Sequence, residues 1–121
     1  MSLSNYRDLE VWQISMEVAE LVYALTRKLP DDERFGLISQ ARRCAVSVPS
    51  NIAEGYGRTH RGDYLRFLSI ARGSLCELET QIILMGRMKF ITREETAPTW
   101  EHCQRVGKML TKLIASLSQD T

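Results

Sequence analysis

The sequence has few of the residues that break regular structure, with three prolines and seven glycines. No stretch has the low-complexity composition of a flexible linker. No apolar run approaches the roughly 20 residues that a membrane-spanning helix needs, and the first residues lack the apolar core of a signal peptide. A chain of 121 residues suits one domain, so we expect residues 1–121 to form a single domain without a membrane span.

Cysteine and histidine are too few and too scattered for a disulfide framework or a metal site. The cysteines are Cys44, Cys76 and Cys103, an odd number without CxxC spacing. Each falls at an apolar position of a helical pattern, which predicts three buried free thiols and a reducing cytoplasm. The two histidines, His60 and His102, are far apart, and no Glu-x-x-His pair occurs. We therefore predict no bound metal.

Catalytic motifs are also missing. The stretch GYGRTHRG at residues 55–62 is neither a GxGxxG motif after a strand nor a P-loop with its Gly-Lys-Ser/Thr. Glu77 and Glu79 would point about 200° apart on a helix, so they cannot act as paired carboxylates. No nucleophile has a spacing that suggests a triad. We therefore predict that the protein is not an enzyme and needs no cofactor.

Helical periodicity runs through the whole sequence, without strand-like alternation. Four amphipathic segments cover about residues 8–29, 31–55 and 62–89 and the residues from 92 onward. Their short connections predict an all-α protein, an up-down antiparallel four-helix bundle. The first segment has two apolar stripes, and so wide an arc predicts contact with more than one neighbour. One stripe comprises Leu9, Trp12, Met16, Ala19 and Tyr23, and the other Val11, Ile14, Val18, Leu21 or Val22, and Leu25.

Proline and glycine mark the second and third segments. Pro49 lies inside the second segment and predicts that this helix is kinked or broken near Pro49. Gly55 and Gly57 predict its C-terminal end. Gly73 lies inside the third segment, where it lowers helix stability, so we expect a neighbouring helix to pack tightly against it.

Capping residues mark the helix starts. Acids at residues 31–33 suit the beginning of the second helix, and Thr59 or His60 would cap the third. Thr92 and Glu95 have the spacing of a capping box at the start of the fourth. Pro98 follows closely, and it predicts either the true start of that helix or a kink.

The net charge of +1 is distributed unevenly along the chain. Residues 1–26 carry −3, residues 27–72 carry nine bases and five acids, or +4, and the rest is neutral. Five of the residues around the turn between the second and third helices are basic: Arg58, His60, Arg61, Arg66 and Arg72. Side chains at a turn can reach phosphate, so Arg58, His60, Arg61 and Arg66 are the predicted nucleic-acid contact. The alternative is an ordinary solvated turn.

A stripe of polar residues follows the second helix in steps of three and four: Gln40, Arg43, Ser47, Asn51 and Glu54. Two interpretations are open. The stripe is a solvated face, or it is a partly buried polar network that pairs with Glu77 or Glu79 and fixes the register of the helices. Its small neighbours, and its few lysines and glutamates, are unlike a plain exposed face, and both interpretations stay open.

Three stretches carry a resemblance to a known family: LEVWQ, LISQARRCAVSVPSNIAEG and RFLSIARGSLCELETQI. Together they resemble the 23S ribosomal RNA intervening-sequence proteins over nearly the whole chain. That family in turn resembles the accessory protein of diversity-generating retroelements. The family's motif positions correspond here to Trp12, Gln40, Arg43, Ser47, Asn51, Glu54, Gly55, Gly73, Ser74, Glu77, Glu79 and Thr80, and no catalytic role comes with them.

The resemblance implies a bacterial cytoplasmic four-helix bundle that often forms a homopentamer. The retroelement relative binds nucleic acid and its reverse transcriptase through basic surfaces. This chain departs from it in its small net charge, and His60 stands where related chains often have a serine cap. The predicted function is a non-enzymatic oligomeric bundle that binds structured RNA or DNA, or a nucleic-acid-processing protein such as a reverse transcriptase. The alternative is a structural protein–protein interaction module without nucleic-acid binding.

Overall fold

The computed structural model describes residues 5–119, and every regular element in that range is helical. The four α-helices are α1 (Glu10–Thr26), α2 (Leu37–Tyr56), α3 (Arg61–Arg87) and α4 (Arg93–Gln119). Two short 3₁₀ turns, Tyr6–Asp8 and Asp31–Glu33, precede α1 and α2. The predicted domain limits at residues 1 and 121 lie outside the described residues.

The helices pack as a bundle around one core. α1 packs against α2 and α4, and α3 packs against the same two helices, whereas the diagonal pairs make no such contact within residues 5–119. The four-helix bundle predicted from periodicity is therefore confirmed. The up-down order of all four helices and a kink at Pro49 stay predictions. None of the described helices is both long enough and apolar enough to cross a membrane.

Each helix supplies one apolar stripe to the core. Burial of a Leu, Ile, Val or Met side chain stabilises the fold by roughly 1.5–3 kcal/mol. The four stripes together therefore hold the bundle together. The largest fully buried apolar side chains are Val18 and Val22 of α1, Val48 and Ile52 of α2, Leu68, Leu75, Leu78 and Met85 of α3, and Val106 and Leu110 of α4.

The two apolar stripes of α1 have different environments. The stripe that includes Val11, Ile14 and Val18 is buried. On the other stripe, Met16 remains 41% exposed and Tyr23 39% exposed. α1 contacts both α2 and α4, as its wide apolar arc predicts, but these two neighbours do not cover the whole arc.

The start of α2 lies later than the sequence suggested. Asp31–Glu33 form a separate 3₁₀ turn, and α2 begins at Leu37. The carboxylate of Glu33 accepts a hydrogen bond from the backbone N–H of Leu37 at 3.2 Å, which satisfies one of the unpaired donors of the first helical turn. The helix then continues through Pro49 to Tyr56, so the alternative of a break at Pro49 is wrong.

Gly55 is a packing residue rather than a helix stop. It is buried inside α2, and Gly57 is the C-cap. A Cβ atom added at Gly55 would lie 2.8 Å from the Cβ of Phe67 and 3.2 Å from the carbonyl oxygen of Tyr64. The tight packing predicted at Gly73 is wrong, because Gly73 is exposed and an added Cβ would meet no atom within 4 Å. The close approach of α3 to α2 occurs at Gly55 instead.

The capping box at the start of α4 is present. The backbone N–H of Thr92 donates to Glu95 Oε1 at 2.8 Å, and the backbone N–H of Glu95 donates to Thr92 Oγ1 at 3.1 Å. The Thr92 N–H and the ammonium of Lys28, 3.0 Å away, lower the pKa of Glu95. α4 begins at Arg93, so the interpretation of Pro98 as the true start is wrong.

Candidate nucleic-acid interface and polar network

The predicted nucleic-acid contact lies where the chain passes from α2 to α3. Residues 57–60 connect the two helices, and α3 begins at Arg61. Arg58, His60, Arg61 and Arg66 are all exposed, and we call these four residues the turn cluster. Arg72, which the sequence grouped with them, lies eleven residues beyond Arg61 in α3. At the usual helical rise this is about 16 Å along the axis, so Arg72 belongs to another part of the surface.

One aromatic ring holds two arginines of the turn cluster. The guanidinium carbon of Arg58 lies 4.8 Å from the ring centroid of Phe67, and that of Arg66 lies 5.0 Å from it. A guanidinium held by an aromatic ring keeps donors at its edge for a phosphate. Glu54 Oε2 lies 3.7 Å from Arg58, and an exposed pair of this kind contributes at most about 1 kcal/mol. A phosphate can therefore compete with this carboxylate for Arg58.

Aromatic packing next to Gly55 supports the turn. The rings of Tyr56 and Tyr64 meet edge to face with centroids 5.9 Å apart. Burial, and to a lesser extent the neighbouring phenol of Tyr56, raise the pKa of Tyr64 to about 12, so its hydroxyl stays neutral at physiological pH. Gly55 lies against Tyr64 and Phe67. Gly55 of the NIAEG stretch thus allows α3 to approach α2 closely beside the turn cluster.

His60 is the N-cap residue of α3. Its backbone is extended, with φ −99° and ψ 137°, but its side chain makes no capping hydrogen bond. Asp63 supplies an acid in the first turn, which interacts favourably with the helix dipole. The imidazole leaves the first backbone donors of α3 without a side-chain acceptor, where a serine would supply one.

We expect His60→Ser to raise the free energy of unfolding by about 1 kcal/mol, because a serine hydroxyl at the N-cap accepts from the first turn. Urea unfolding followed by circular dichroism measures this change. Thr59→Ser is the matched control, because Thr59 lies one residue outside the cap, and a change below about 0.5 kcal/mol is expected there. A loss of stability in His60→Ser would contradict the assignment of His60 as the N-cap.

The polar stripe of α2 forms a small network at its centre. Ser47 Oγ and Ser74 Oγ of α3 share a hydrogen bond of 2.9 Å. Asn51 Nδ2 donates to the carbonyl oxygen of Ser47 at 2.8 Å and to Ser47 Oγ at 2.9 Å. The other predicted members, Gln40, Arg43, Glu54 and Glu77, are exposed. The structure thus brings Ser47 and Asn51 together with Ser74. The sequence analysis named Ser74 only as a position of the family motif.

Glu79, the other proposed partner of the stripe, turns away from α2. Its carboxylate accepts a hydrogen bond from Gln104 Nε2 of α4 at 2.9 Å. Burial raises the pKa of Glu79, while the hydrogen bond from Gln104 lowers it by less. Glu79 therefore links α3 to α4 and takes no part in the network between α2 and α3.

Sequence reasoning missed Gln81, a buried amide on α3. It is 6% exposed, and its Oε1 has no hydrogen-bond partner among the described residues. Burial raises the pKa of the Cys44 thiol on α2, and the nearby amide of Gln81 opposes that shift. The signal was available, because Gln81 continues the apolar spacing of Leu78, Ile82 and Met85.

The three cysteines have two different environments. Cys44 and Cys103 are buried, as predicted, but Cys76 is exposed, so the prediction of three buried thiols is wrong. Burial raises the pKa of Cys103 to about 12, and the charge of Glu79 adds to this. Cys76 follows the core residue Leu75 and lies just past the edge of the buried stripe of α3. Helical spacing alone does not distinguish a core position from one at the edge of the buried stripe.

We expect one thiol per chain to react with a maleimide under native conditions and all three to react in denaturant. Cys76 is accessible, whereas Cys44 and Cys103 are buried and have raised pKa values that suppress the reactive thiolate. Intact-mass spectrometry counts the adducts. Cys76→Ser should remove the native reaction, and rapid labelling of that variant would contradict the burial of the other two.

Metal-ligating side chains do not converge in the part of the chain that the structure describes. Residues 5–119 contain no group of three His, Cys, Asp or Glu side chains placed to hold a metal ion. His102 Nε2 instead lies 3.2 Å from Glu17 Oε1, in a contact between α4 and α1.

The comparison with known proteins agrees with the sequence motifs and the bundle. Residues 7–112 match the model of the family described as 23S rRNA-intervening sequence protein. The chain belongs to this family. The match extends from the residues before α1 into α4, so the matched range covers both the turn cluster and the polar stripe of this chain. The further likeness to the retroelement accessory protein stays a prediction. No curated protein matches the chain.

A solved structure supports the same fold. It is the crystal structure of a protein with unknown function from the S23 ribosomal protein family of Bacteroides thetaiotaomicron VPI-5482. It is 28% identical to this chain with a TM-score of 0.80, and the match covers 86% of this chain and 97% of the other. The two proteins thus share this fold at low sequence identity.

Proposed function

We propose that this chain is a non-enzymatic, cytoplasmic scaffold whose oligomer binds structured nucleic acid. The observation that carries the proposal is the exposed turn cluster, with Arg58 and Arg66 held by the ring of Phe67. Basic side chains that neutralise phosphates supply much of the affinity of proteins for nucleic acid. The family's name refers to 23S rRNA, which supports a structured RNA as the ligand.

The exposed part of the apolar arc of α1 supports an oligomer. It forms one wall of a shallow groove lined by Tyr6, Trp12, Met16, Ala19, Val46, Pro49, Ser50 and Ala53. Met16 is 41% exposed and Val46 43% exposed. A rimmed apolar patch of this kind is typical of a protein interface. A homo-oligomer, a pentamer by family resemblance, covers this groove and repeats the turn cluster, so that weak phosphate contacts add through multivalency.

Charge reversal at the turn cluster tests the proposal. We expect Arg58→Glu combined with Arg61→Glu to weaken binding to a structured RNA by about tenfold or more at low salt, because repulsion replaces phosphate neutralisation. The slope of log affinity against log salt should fall by about one for each phosphate that is no longer neutralised. Fluorescence anisotropy with labelled RNA measures both quantities.

The matched control is Arg87→Glu combined with Arg93→Glu. Both arginines are exposed, and they lie at the other end of α3, around its connection to α4. The change in net charge is the same, so we expect this control to lose much less affinity. Equal losses in the two double variants would contradict the assignment of the turn cluster and indicate an effect of net charge alone.

The second candidate function is a protein-interaction module without nucleic-acid binding. The exposed apolar groove of α1 and α2 favours it, because a partner protein could occupy the same surface. The partner would be a nucleic-acid-processing protein such as a reverse transcriptase. Light scattering of a species larger than 13.9 kDa, together with no binding to RNA or DNA at low salt, would favour this alternative.

A further inference from the structure

A groove between α3 and α4 carries a second group of basic side chains. It has a volume of about 500 Å³, and its lining includes Arg72 of α3 and Lys108 and Lys112 of α4. All three are exposed. Glu79 is the one acid among the described lining residues. We call this surface the α3–α4 groove, and three cations against one acid make it electropositive.

Glu79 offsets only part of this positive charge. It is half-buried, and its carboxylate accepts a hydrogen bond from Gln104 Nε2 across the groove. The next acid on α3, Glu77, lies about 200° around the helix and does not line the groove. Three cations against one acid leave the described lining with an excess of positive charge.

The floor of the α3–α4 groove includes the apolar side chain of Leu75. Leu75 is 2% exposed and forms part of the lining. Gly107 faces it, and a Cβ atom added at Gly107 would lie 3.5 Å from Leu75 Cδ2. The absence of a side chain at Gly107 leaves an open trough between the basic rims. Exposed cations on both helices can neutralise the phosphates of a nucleic-acid backbone that lies along this trough.

The α3–α4 groove is aligned with the turn cluster along α3. Arg61 and Arg72 are eleven residues apart, which is about three helical turns with an angular offset of about 20°. The two arginines therefore lie on one line of the helix surface, about 16 Å apart. An extended polyanion that contacts Arg61 can continue along this line into the groove.

We propose that the α3–α4 groove is a second phosphate-contact surface, where Arg72, Lys108 and Lys112 hold the backbone of the nucleic acid that the turn cluster binds. The proposal rests on the proposed function, since it concerns the path of the same ligand. It places the nucleic acid along α3 and the second half of α4, rather than at the turn alone.

Cys76 offers a direct test, because this exposed thiol lines the groove while Cys44 and Cys103 are buried. A benzophenone maleimide on Cys76 of the full chain should cross-link to a labelled structured RNA on illumination. The control is the variant Cys76→Ser with Glu20→Cys, which carries the same reagent on the exposed surface of α1. We expect cross-linking from position 76 at several times the yield from position 20.

Substitutions in the groove give a second readout. Lys108→Ala combined with Lys112→Ala should lower the salt slope of RNA binding by about two, one for each lysine that no longer neutralises a phosphate, and weaken binding at low salt by about tenfold. Lys108→Arg combined with Lys112→Arg keeps the charge and should bind like the wild type. Glu79→Gln removes the one acid among the described lining residues and should tighten binding.

The outcomes separate the two proposals. If the wild type binds RNA and reversal at the turn cluster weakens binding, but position 76 gives no cross-link and the double alanine variant binds like the wild type, the groove proposal is overturned and the proposed function stands. If the wild type binds no nucleic acid at low salt, both are overturned. Preferential cross-linking from position 76, with the reduced affinity of the alanine variant, supports the groove.

Discussion

Replacing Gly55 by alanine is expected to lower the free energy of unfolding by about 3 kcal/mol, the upper part of the range for overpacked cores. The added methyl group would lie 2.8 Å from the Cβ of Phe67 and 3.2 Å from the carbonyl oxygen of Tyr64. Neither atom is the end of a flexible side chain, so α2 and α3 must move apart. Separation of the helices would also loosen the aromatic contacts next to the turn cluster.

Gly73→Ala is the matched control, because it makes the same change at an exposed helical glycine. An added Cβ at Gly73 meets no atom within 4 Å, so we expect a gain of about 0.5–1 kcal/mol from the better helix propensity of alanine. Urea unfolding of both variants at one protein concentration gives the comparison. A neutral or stabilising effect of Gly55→Ala would contradict the close packing at Gly55.

The second large effect is expected for Leu78→Ala, a loss of about 2–5 kcal/mol. Leu78 is fully buried near the middle of α3. Alanine removes three buried carbon atoms and leaves a cavity that the surrounding helices fill only in part. Thermal and urea unfolding should both show the loss, without a change of secondary structure in the folded state.

Leu84→Ala is the control for this prediction, because it makes the same substitution on the same helix at a side chain that is 43% exposed. We expect it to cost less than about 1 kcal/mol, as surface substitutions usually do. Similar losses for Leu78→Ala and Leu84→Ala would mean that the stripe through Leu78 does not form the core, and would contradict the bundle geometry.

The fold could be predicted because helical periodicity is a local property of the sequence. The spacing of three and four residues in α1, α2, α3 and α4 identifies which face each helix buries. The capping box of Thr92 and Glu95 depends only on neighbours in sequence, and it was predicted correctly. The sequence predicted a helix end at Gly55 and close packing at Gly73, but the close packing occurs at Gly55. The environment of each glycine depends on residues of another helix, which local spacing does not reveal.

The candidate site shows the same limit. The cations of the turn cluster are close in sequence, so their grouping could be predicted. Arg72 is near them in sequence, yet it lies with Lys108 and Lys112 of α4, a grouping that only helix packing creates. Residues 73–121 carry equal numbers of bases and acids. The charge distribution along the sequence therefore did not indicate that Lys108 and Lys112 belong to a basic surface. Cys76 was assigned to the core because it lies one position from a buried stripe.

The measurement that tests the account most directly is the binding of the purified protein to labelled structured RNA, duplex DNA and single strands, by fluorescence anisotropy at low and near-physiological salt. We predict binding to structured RNA that weakens steeply as salt rises, because phosphate neutralisation releases counterions. The absence of binding at low salt, where electrostatic attraction is strongest, would contradict nucleic-acid binding and leave the protein-interaction module as the function.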